Sequence, residues 1–325
     1  MKIDRHKIGN GLIDVHTHYG FSLINFYKTQ YPIAQDVIAL SQLIAENNIS
    51  FAVTFPMANS IYYDIPILVE DGIFRATKFS DFPFEKENLY LLIQIKAFNL
   101  KNILPFCSFS LNDKVEEQVT NLEKLVTEFD IYGLKFHTRG DHNSILEISK
   151  YPLLLDFIEK YNLPLMVHTG NDEFSSPLNV LEIAQKYSHI RFCAAHLGRF
   201  NLKFFDAIDK NECSNLFVDT SPFIYLCEQD SVKSKVSNSI LDLDYNKIED
   251  VFDFFANKYS DKILWGTDIP WTNISKMENR VEKFINYQDE VKILLRDITV
   301  AHKIANENTI RYLFGNFKND NNCKK

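Results

Sequence analysis

Short apolar runs alternate with longer amphipathic segments from one end of the chain to the other. Eight runs are rich in Val, Ile, Leu and Phe and apolar on both faces, which is typical of parallel strands covered by helices. These runs are residues 12–18, 51–55, 103–109, 132–137, 165–168, 190–196, 216–220 and 263–267. Between them, apolar residues recur at helical spacing, as Val37, Leu40 and Ile44 do.

This alternation predicts an α/β fold, a TIM-like (β/α)8 barrel with parallel strands inside and helices outside. A doubly wound open sheet is the competing architecture, but it normally has a glycine-rich GxGxxG turn after its first strand, which this chain lacks. Two connections are long, residues 56–102 after the second strand and residues 221–247 after the seventh. Both insertions follow the carboxyl end of a strand, so we expect them on the face where barrel active sites form.

Length and composition agree with one domain. The 325 residues fit a single barrel with insertions over residues 1–317, followed by a polar tail at residues 318–325. Hydrophobic residues make up 46% and charged residues 24%, as in soluble globular proteins. The formal net charge is -8 and no basic stripe is present, so we expect no nucleic-acid partner.

The cysteines and the chain's first residues indicate a cytoplasmic protein. Five scattered cysteines without a CxxC pair predict neither a cysteine zinc site nor a disulfide framework. The first ten residues lack the apolar stretch of a secretion signal, and no apolar run is long enough to cross a membrane. The 27 phenylalanines leave apolar surface for a homodimer, but no segment identifies an interface.

Histidine and aspartate residues recur where the predicted strands end. His16 and His18 close the first strand, and a side-chain period of two places them on the same side. His168 ends the fifth strand, His196 the sixth and Asp268 the eighth. Because barrel enzymes keep catalytic groups at the carboxyl ends of their strands, we expect these side chains to meet there. Imidazole and carboxylate ligands suit zinc or another first-row divalent ion.

These motifs resemble the amidohydrolase superfamily, especially its amidohydrolase-related branch. The resemblance covers essentially the whole chain, through GLIDVHTH at 11–18, VHTG at 167–170, AHLG at 195–198 and WGTDIP at 265–270. FVDTS at 217–221 is similar to the seventh strand of the family, and ENTIRYLFG at 307–315 to its terminal helix. The branch contains hydrolases of amides, esters and lactones, and some non-oxidative decarboxylases.

The resemblance implies one divalent ion, most simply Zn²⁺ with Mn²⁺ as the alternative. Its ligands would be His16, His18, His168 and Asp268. Such an ion lowers the pKa of a bound water from about 15.7 toward 7. Asp268 would take the proton of that water and pass it to the leaving group. His196 would lie nearby, as a ligand of a second metal or as a catalytic base or electrophile.

The fourth strand leaves the number of ions open. Lys135, His137 and Arg139 share one face if this strand is regular. In binuclear amidohydrolases a lysine on this strand, carboxylated by CO2, bridges two metals. Lys135 could instead lie one layer deeper and neutralise a carboxylate. Because the branch is typically mononuclear, we favour one ion and keep Lys135 and His196 as candidate ligands of a second.

Four residues near the strand ends are candidates for binding the substrate. Arg139 could bind a substrate carboxylate with its planar fork of donors, or it could be a solvated loop residue. His137 is a further candidate, for the substrate or the metal. Tyr19 follows the first-strand histidines and Trp271 follows the eighth strand, where both could wall the pocket. Arg199 is a weaker candidate for binding an anion.

The sequence therefore predicts a metal-dependent hydrolase that uses a metal-activated water to cleave a C–N or C–O bond in a small amide, lactone or ester. The nearest alternative is a metal-dependent decarboxylase or C–C lyase, in which the ion orients a carboxylated substrate and no water attacks. A TatD-like DNase would carry a glutamate at the end of the fourth strand, where this chain has Lys135 and His137. A non-catalytic scaffold would not be expected to retain all of these polar groups.

Overall fold

The computed structural model describes residues 8–28, 33–211, 213–229, 232, 239–271, 275–277, 280–283 and 285–315. Eight parallel strands follow one another around the sheet in chain order. They are β1 (Ile13–Phe21), β2 (Phe51–Pro56), β3 (Ile103–Phe109), β4 (Gly133–Phe136), β5 (Leu165–Val167), β6 (Phe192–Ala194), β7 (Leu216–Asp219) and β8 (Ile263–Leu264). A ninth strand, Ala34–Gln35, pairs antiparallel with the end of β1.

The segment after β8 closes the sheet onto β1. The backbone N–H of Val15 donates to the carbonyl of Trp265 at 3.0 Å, and Thr17 pairs in parallel with Ile269. The last strand is therefore joined to the first, and the predicted (β/α)8 barrel is confirmed. Closure removes the unpaired sheet edges that an open sheet would expose.

Helices follow the strands, and most of them cover the outside of the sheet. They are α1 (Leu23–Tyr27), α2 (Val37–Glu46), α3 (Ile65–Asp71), α4 (Glu85–Ala97), α5 (Val115–Glu128), α6 (Thr138–Asp141), α7 (Pro152–Lys160), α8 (Pro177–Lys186), α9 (Leu202–Lys210), α10 (Phe223–Glu228), α11 (Ile248–Lys258), α12 (Tyr287–Leu294), α13 (Ile298–His302) and α14 (Asn308–Phe314). A 3-10 turn covers Ile145–Lys150, a π-helical turn covers Lys303–Glu307, and a small hairpin pairs Ser275–Met277 with Arg280–Lys283. In this part of the chain no helix combines the length and the apolar character that crossing a membrane requires.

Two apolar layers hold the barrel together. Side chains from strands all around the sheet fill the interior, among them Val15, Phe55 and Met166, and Tyr312 of α14 packs with them. A larger layer lies between the strands and the outer helices. Burial of these side chains is the main source of stability, at roughly 25 cal/mol per Å² of apolar surface. The polar strand-end residues lie above the interior layer.

The described parts of both predicted insertions reach the carboxyl ends of the strands. The first carries α3 and α4, and its buried Tyr63 reaches over β3, where its hydroxyl lies 3.0 Å from Ser110 Oγ. The second carries α10, and its Ile240 forms an antiparallel bridge with Asn201, which follows β6. The predicted C-terminal tail, residues 318–325, lies outside the described residues.

A buried carboxyl group joins α12 to the second insertion. Glu290 is 1% exposed, and its Oε1 accepts a hydrogen bond from the backbone N–H of Ile224 at 2.9 Å. Burial raises the pKa of Glu290 from 4.5 to about 8. The folded protein therefore keeps a proton on Glu290 at a pH where the unfolded chain has released it.

This proton makes the stability of the fold depend on pH. Between the two pKa values the folded state binds more protons than the unfolded state, so the free energy of unfolding falls as the pH rises through this range. Glu290→Gln mimics the protonated acid, and we expect it to reduce this fall by on the order of 1–3 kcal/mol between about pH 5 and about pH 7.5. Urea unfolding at both pH values measures the difference. Glu182→Gln changes an exposed carboxylate on α8 and should leave this decrease in the free energy of unfolding unchanged. If the free energy of unfolding depends on pH in the same way in wild type and in Glu290→Gln, Glu290 is not the group responsible.

Candidate functional site

His16 lies at the centre of a buried polar group at the carboxyl end of the sheet. Its side chain is fully buried, and Nδ1 lies 2.9 Å from Asp219 Oδ2. Because a carboxylate accepts, Nδ1 carries a proton, and in the neutral ring Nε2 keeps its lone pair. Nε2 lies 3.2 Å from Asp268 Oδ1. A carboxylate behind an imidazole is the arrangement that orients histidine ligands in metal sites.

The protonation of His16 depends on the two carboxylates beside it. Burial and the charge of Lys135 lower the pKa of His16, but Asp219 and Asp268 outweigh them and raise it. The two carboxylates thus favour positive charge at this ring. A cation bound at Nε2 would supply that charge and would need Nε2 to be unprotonated, as metal binding to histidine generally does.

Asp219, at the end of β7, holds several groups of the site in place. Its Oδ2 accepts from His16, and its Oδ1 accepts from the backbone N–H of His196 at 3.0 Å and from the hydroxyl of Ser221 at 2.7 Å. Burial opposes its ionisation, but the nearby His16 holds the pKa of Asp219 well below its usual range. Asp219 was absent from the predicted site residues, although an aspartate closing an apolar strand is the same signal that identified Asp268.

Asp268 also contacts the second histidine of β1. His18 Nε2 lies 2.9 Å from Asp268 Oδ1, the same oxygen that faces His16. Burial raises the pKa of Asp268, but His16 and two hydrogen bonds bring it well below its ordinary value. Burial lowers the pKa of His18 to about 4. A neutral imidazole and an ionised carboxylate are the forms that bind a divalent ion.

His196 and His168 form a pair next to this group. His196 Nδ1 donates to the carbonyl of Ser221 at 2.7 Å, so in the neutral ring Nε2 accepts from His168 Nδ1 at 2.9 Å. Burial lowers the pKa of His196 to about 3 and that of His168 well below its usual value. One atom each of His16, His196 and Asp268 lies within 4.8 Å of the others, a spacing at which they could hold a metal ion.

The structure therefore brings three of the four predicted ligands into direct contact, namely His16, His18 and Asp268. The fourth, His168, contacts His196 and stacks against the ring of His137. The other ring nitrogen of His18, Nδ1, is buried and has no hydrogen-bond partner among the described residues. An imidazole with one free nitrogen can shift its proton there and release the other nitrogen to a cation.

A left-handed turn follows β6. All five residues of His196–Phe200 have a positive φ, between 47° and 62°, and only Gly198 among them is a glycine. A Cβ at position 198 would lie 2.7 Å from the Phe204 ring, so this position excludes other residues. Each non-glycine residue in this conformation costs roughly 1–2 kcal/mol. Such strain is typical of functional sites, where the surrounding structure maintains it.

The turn carries Arg199 toward the site. Its guanidinium lies 3.1 Å from Gln229 Oε1. Burial lowers the pKa of Arg199, the charge of Arg139 lowers it further, and Asp268 acts in the opposite direction. Both charges are therefore within electrostatic range. Arg139 is exposed at the start of α6. Because Arg139 follows β4, Arg199 follows β6 and Asp268 follows β8, all three lie beyond the carboxyl ends of parallel strands, on the same face.

Lys135 lies below the group, in the interior of the barrel. Its Nζ is 3.5 Å from His16 Nε2 and 4.6 Å from the centroid of the Phe55 ring. Burial lowers the pKa of Lys135 to about 8, although Asp219 and Asp268 raise it. Lys135 thus lies within electrostatic range of both carboxylates, and its role, as a ligand of a second metal or as a neutralising charge, stays a prediction.

The two predicted aromatic walls lie in different places. The ring of Trp271 is 6.5 Å from that of His18, close enough to line the site. The hydroxyl of Tyr19 instead accepts a hydrogen bond from Gln94 Nε2 of α4 at 2.7 Å. The structure thus brings Trp271, but not the Tyr19 hydroxyl, to the histidine group.

Sequence comparison now identifies the family. The family model described as "Amidohydrolase" matches residues 13–314. The chain belongs to the amidohydrolase family. This family is metal-dependent, and its members include hydrolases and decarboxylases. A comparison with curated proteins finds no match for this amidohydrolase.

Solved structures share the fold of this amidohydrolase. A probable 2-pyrone-4,6-dicarboxylic acid hydrolase from Acinetobacter baumannii, with citric acid bound, is 16% identical, with a TM-score of 0.58 over 94% of this chain and 100% of that chain. A dihydroxybenzoic acid decarboxylase from Polaromonas sp. JS666, with bound manganese and 2-nitroresorcinol, is 12% identical, with a TM-score of 0.56 over 94% and 97%. A 4-oxalomesaconate hydratase from Rhodopseudomonas palustris is 12% identical, with a TM-score of 0.58 over 93% and 95%. At these identities the likeness shows the fold alone.

Proposed function

We propose that this amidohydrolase is a metal-dependent hydrolase that cleaves a C–N or C–O bond in a small carboxylated amide, lactone or ester. The observation that carries the proposal is the convergence of His16 Nε2 and His18 Nε2 on Asp268 Oδ1, at 3.2 and 2.9 Å. These atoms come from opposite ends of the sequence and meet at the carboxyl ends of the strands, where barrel enzymes have their active sites.

The donor set suits one divalent ion, for which we favour Zn²⁺, with Mn²⁺ as the alternative. His16, His18 and Asp268 would hold it, and His168 is the fourth proposed ligand. Asp219 would keep the His16 ring oriented. The buried Lys135 ammonium, 3.5 Å from His16 Nε2, already supplies one positive charge to the group. A second cation would therefore be repelled by both Lys135 and the first ion, which is why we favour one ion.

A bound divalent ion would supply a water of lowered pKa and polarise the substrate. Asp268, which is buried and ionised, would take the proton of the attacking water and pass it to the leaving group. His196 keeps its Nδ1 proton on the Ser221 carbonyl. Its Nε2 accepts from His168 Nδ1, and it would accept a proton from the substrate once His168 turns to bind the ion. We infer that Asp268 and His196 are the catalytic residues.

The charge at the site favours a substrate that carries a carboxylate. Arg199 and Arg139 lie on the same face as Asp268 and would bind such a group with their planar donors. Trp271 would form an apolar wall for a ring beside His18. The names of the structural relatives, a pyrone dicarboxylic acid hydrolase and a dihydroxybenzoic acid decarboxylase, describe carboxylated rings.

A decarboxylase is the second candidate. The name of one structural relative supports it, because a dihydroxybenzoic acid decarboxylase shares the fold over 94% of this chain, as the pyrone dicarboxylic acid hydrolase does. In this reaction the C–C bond to the carboxylate breaks, CO2 leaves, and the ring carbon takes a proton from a protein acid. The same residues would hold the ion, and no water would attack.

The two candidates differ in their products. The purified protein, loaded separately with Zn²⁺ and with Mn²⁺, is incubated with 2-pyrone-4,6-dicarboxylate, a panel of carboxylated amides and esters, and 2,6-dihydroxybenzoate. We expect a hydrolysis product without CO2, loss of turnover after chelation, and recovery when the ion is restored. Release of CO2 without hydrolysis would replace the hydrolase by the decarboxylase, and turnover that survives chelation would contradict both.

A further inference from the structure

One ring nitrogen of His137 is already engaged by the backbone. His137 Nδ1 lies 2.9 Å from the backbone nitrogen of Gly140 and accepts its hydrogen bond. An amide N–H can only donate, so Nδ1 carries no proton. The ring is therefore neutral with its proton on Nε2.

The local backbone is built to keep this bond. The α6 helix begins directly after His137, whose side chain caps its first turn. A Cβ at position 140 would lie 2.8 Å from the carbonyl oxygen of Ala58 and 3.0 Å from His137 Nδ1. Only glycine allows the amide to approach the ring so closely.

The other nitrogen of His137 is available at the site. The ring stacks on His168 with the centroids 4.0 Å apart and the planes at 16°. His137 is partly exposed, and no described residue forms a hydrogen bond with its Nε2. A ligand in the site could therefore accept a hydrogen bond from this N–H.

We propose that His137 is a hydrogen-bond donor for the substrate, which presents Nε2–H to a carboxylate or carbonyl oxygen, and that the Gly140 amide selects this tautomer. Metal ligation through Nε2 would move the proton to Nδ1, where it would face the Gly140 N–H at 2.9 Å with two donors opposed. His137 is thereby excluded as a metal ligand. Only the identity of the acceptor rests on the proposed function, because the tautomer follows from the backbone contact.

The tautomer can be measured without any activity. Long-range ¹H–¹⁵N correlation spectra of histidine-labelled protein, both metal-free and loaded with Zn²⁺, show which ring nitrogen carries the proton, and the His137→Asn spectrum assigns the signals. We expect Nε2 of His137 to be protonated and Nδ1 to be unprotonated in both states. A proton on Nδ1, or a signal of Nε2 that is altered by direct zinc binding, would overturn the proposal.

Two substitutions test the roles of the two ring nitrogens of His137 separately. His137→Asn places an amide oxygen near the position of Nδ1 and so keeps an acceptor for Gly140, but it removes the distal donor. His137→Gln places an amide N–H near the position of Nε2. We expect both variants to retain wild-type zinc content, His137→Asn to lower kcat/KM on the substrate found in the panel about 10- to 100-fold, and His137→Gln to recover most of this loss.

The outcomes are distinguishable from a failure of the proposed function. Loss of zinc in His137→Asn would make His137 a ligand, and an unchanged kcat/KM would remove its role as a donor. If no compound in the panel is turned over, the proposed reaction fails, while the tautomer is still decided by the spectra of the wild-type protein.

Discussion

Asp268→Asn is expected to lower turnover roughly 10²–10⁴-fold and to remove most of the bound divalent ion. The carboxylate of Asp268 faces both His16 and His18 through one oxygen. An amide is a neutral and weaker ligand, and it cannot take the proton of the attacking water. His16→Ala should remove the ion as well, and it takes the ring donor away from Oδ2 of the buried Asp219 carboxylate, which costs on the order of 3–5 kcal/mol of stability.

Metal content after dialysis and steady-state turnover measure these effects. Asp206→Asn and His189→Ala change exposed residues on the outer surface and serve as matched controls. Unfolding curves separate loss of the ion from loss of the fold, because Asp268→Asn keeps the volume of the side chain. If both Asp268→Asn and His16→Ala retain wild-type metal content and turnover, the site lies elsewhere in the molecule.

Asp219→Asn is expected to weaken zinc binding about 10- to 100-fold without changing a single proposed ligand. Asp219 accepts hydrogen bonds from the His16 ring, from the backbone of His196, and from Ser221. An asparagine has one oxygen and an NH2 group, so at least one of these donors loses its acceptor. If the NH2 group faces His16, the imidazole must accept at Nδ1 and carry its proton on Nε2, where it blocks the lone pair that faces Asp268.

Competition with a chelator of known affinity measures this prediction. Asp209→Asn, on the exposed part of α9, is a control of the same chemistry. The difference in melting temperature between metal-free wild type and metal-free variant shows how much of the effect is structural. Zinc affinity within about twofold of wild type would mean that Asp219 does not orient His16.

The barrel could be predicted because its strands are apolar on both faces, which leaves few other arrangements. Each predicted run overlaps one of the eight strands, but β1 continues to Phe21, and the structure ends β5 at Val167 and β6 at Ala194. His168 and His196 therefore lie just beyond the regular sheet, where backbone direction changes. In the turn after β6 five residues adopt a positive φ. Four of them are not glycine, so the residue types carry little signal for this conformation.

The amino-acid sequence by itself determined the closed barrel, the face that carries the long insertions, and the strand ends at which His16, His18 and Asp268 would meet. Alternation and strand polarity are local properties, so a linear pattern is sufficient to predict them. Only the tertiary structure decided that Asp219 holds His16, that Gly140 sets the tautomer of His137, and that Tyr19 contacts α4. These contacts depend on side-chain direction to within about an ångström, or join residues far apart in the chain, and spacing along the sequence does not encode either.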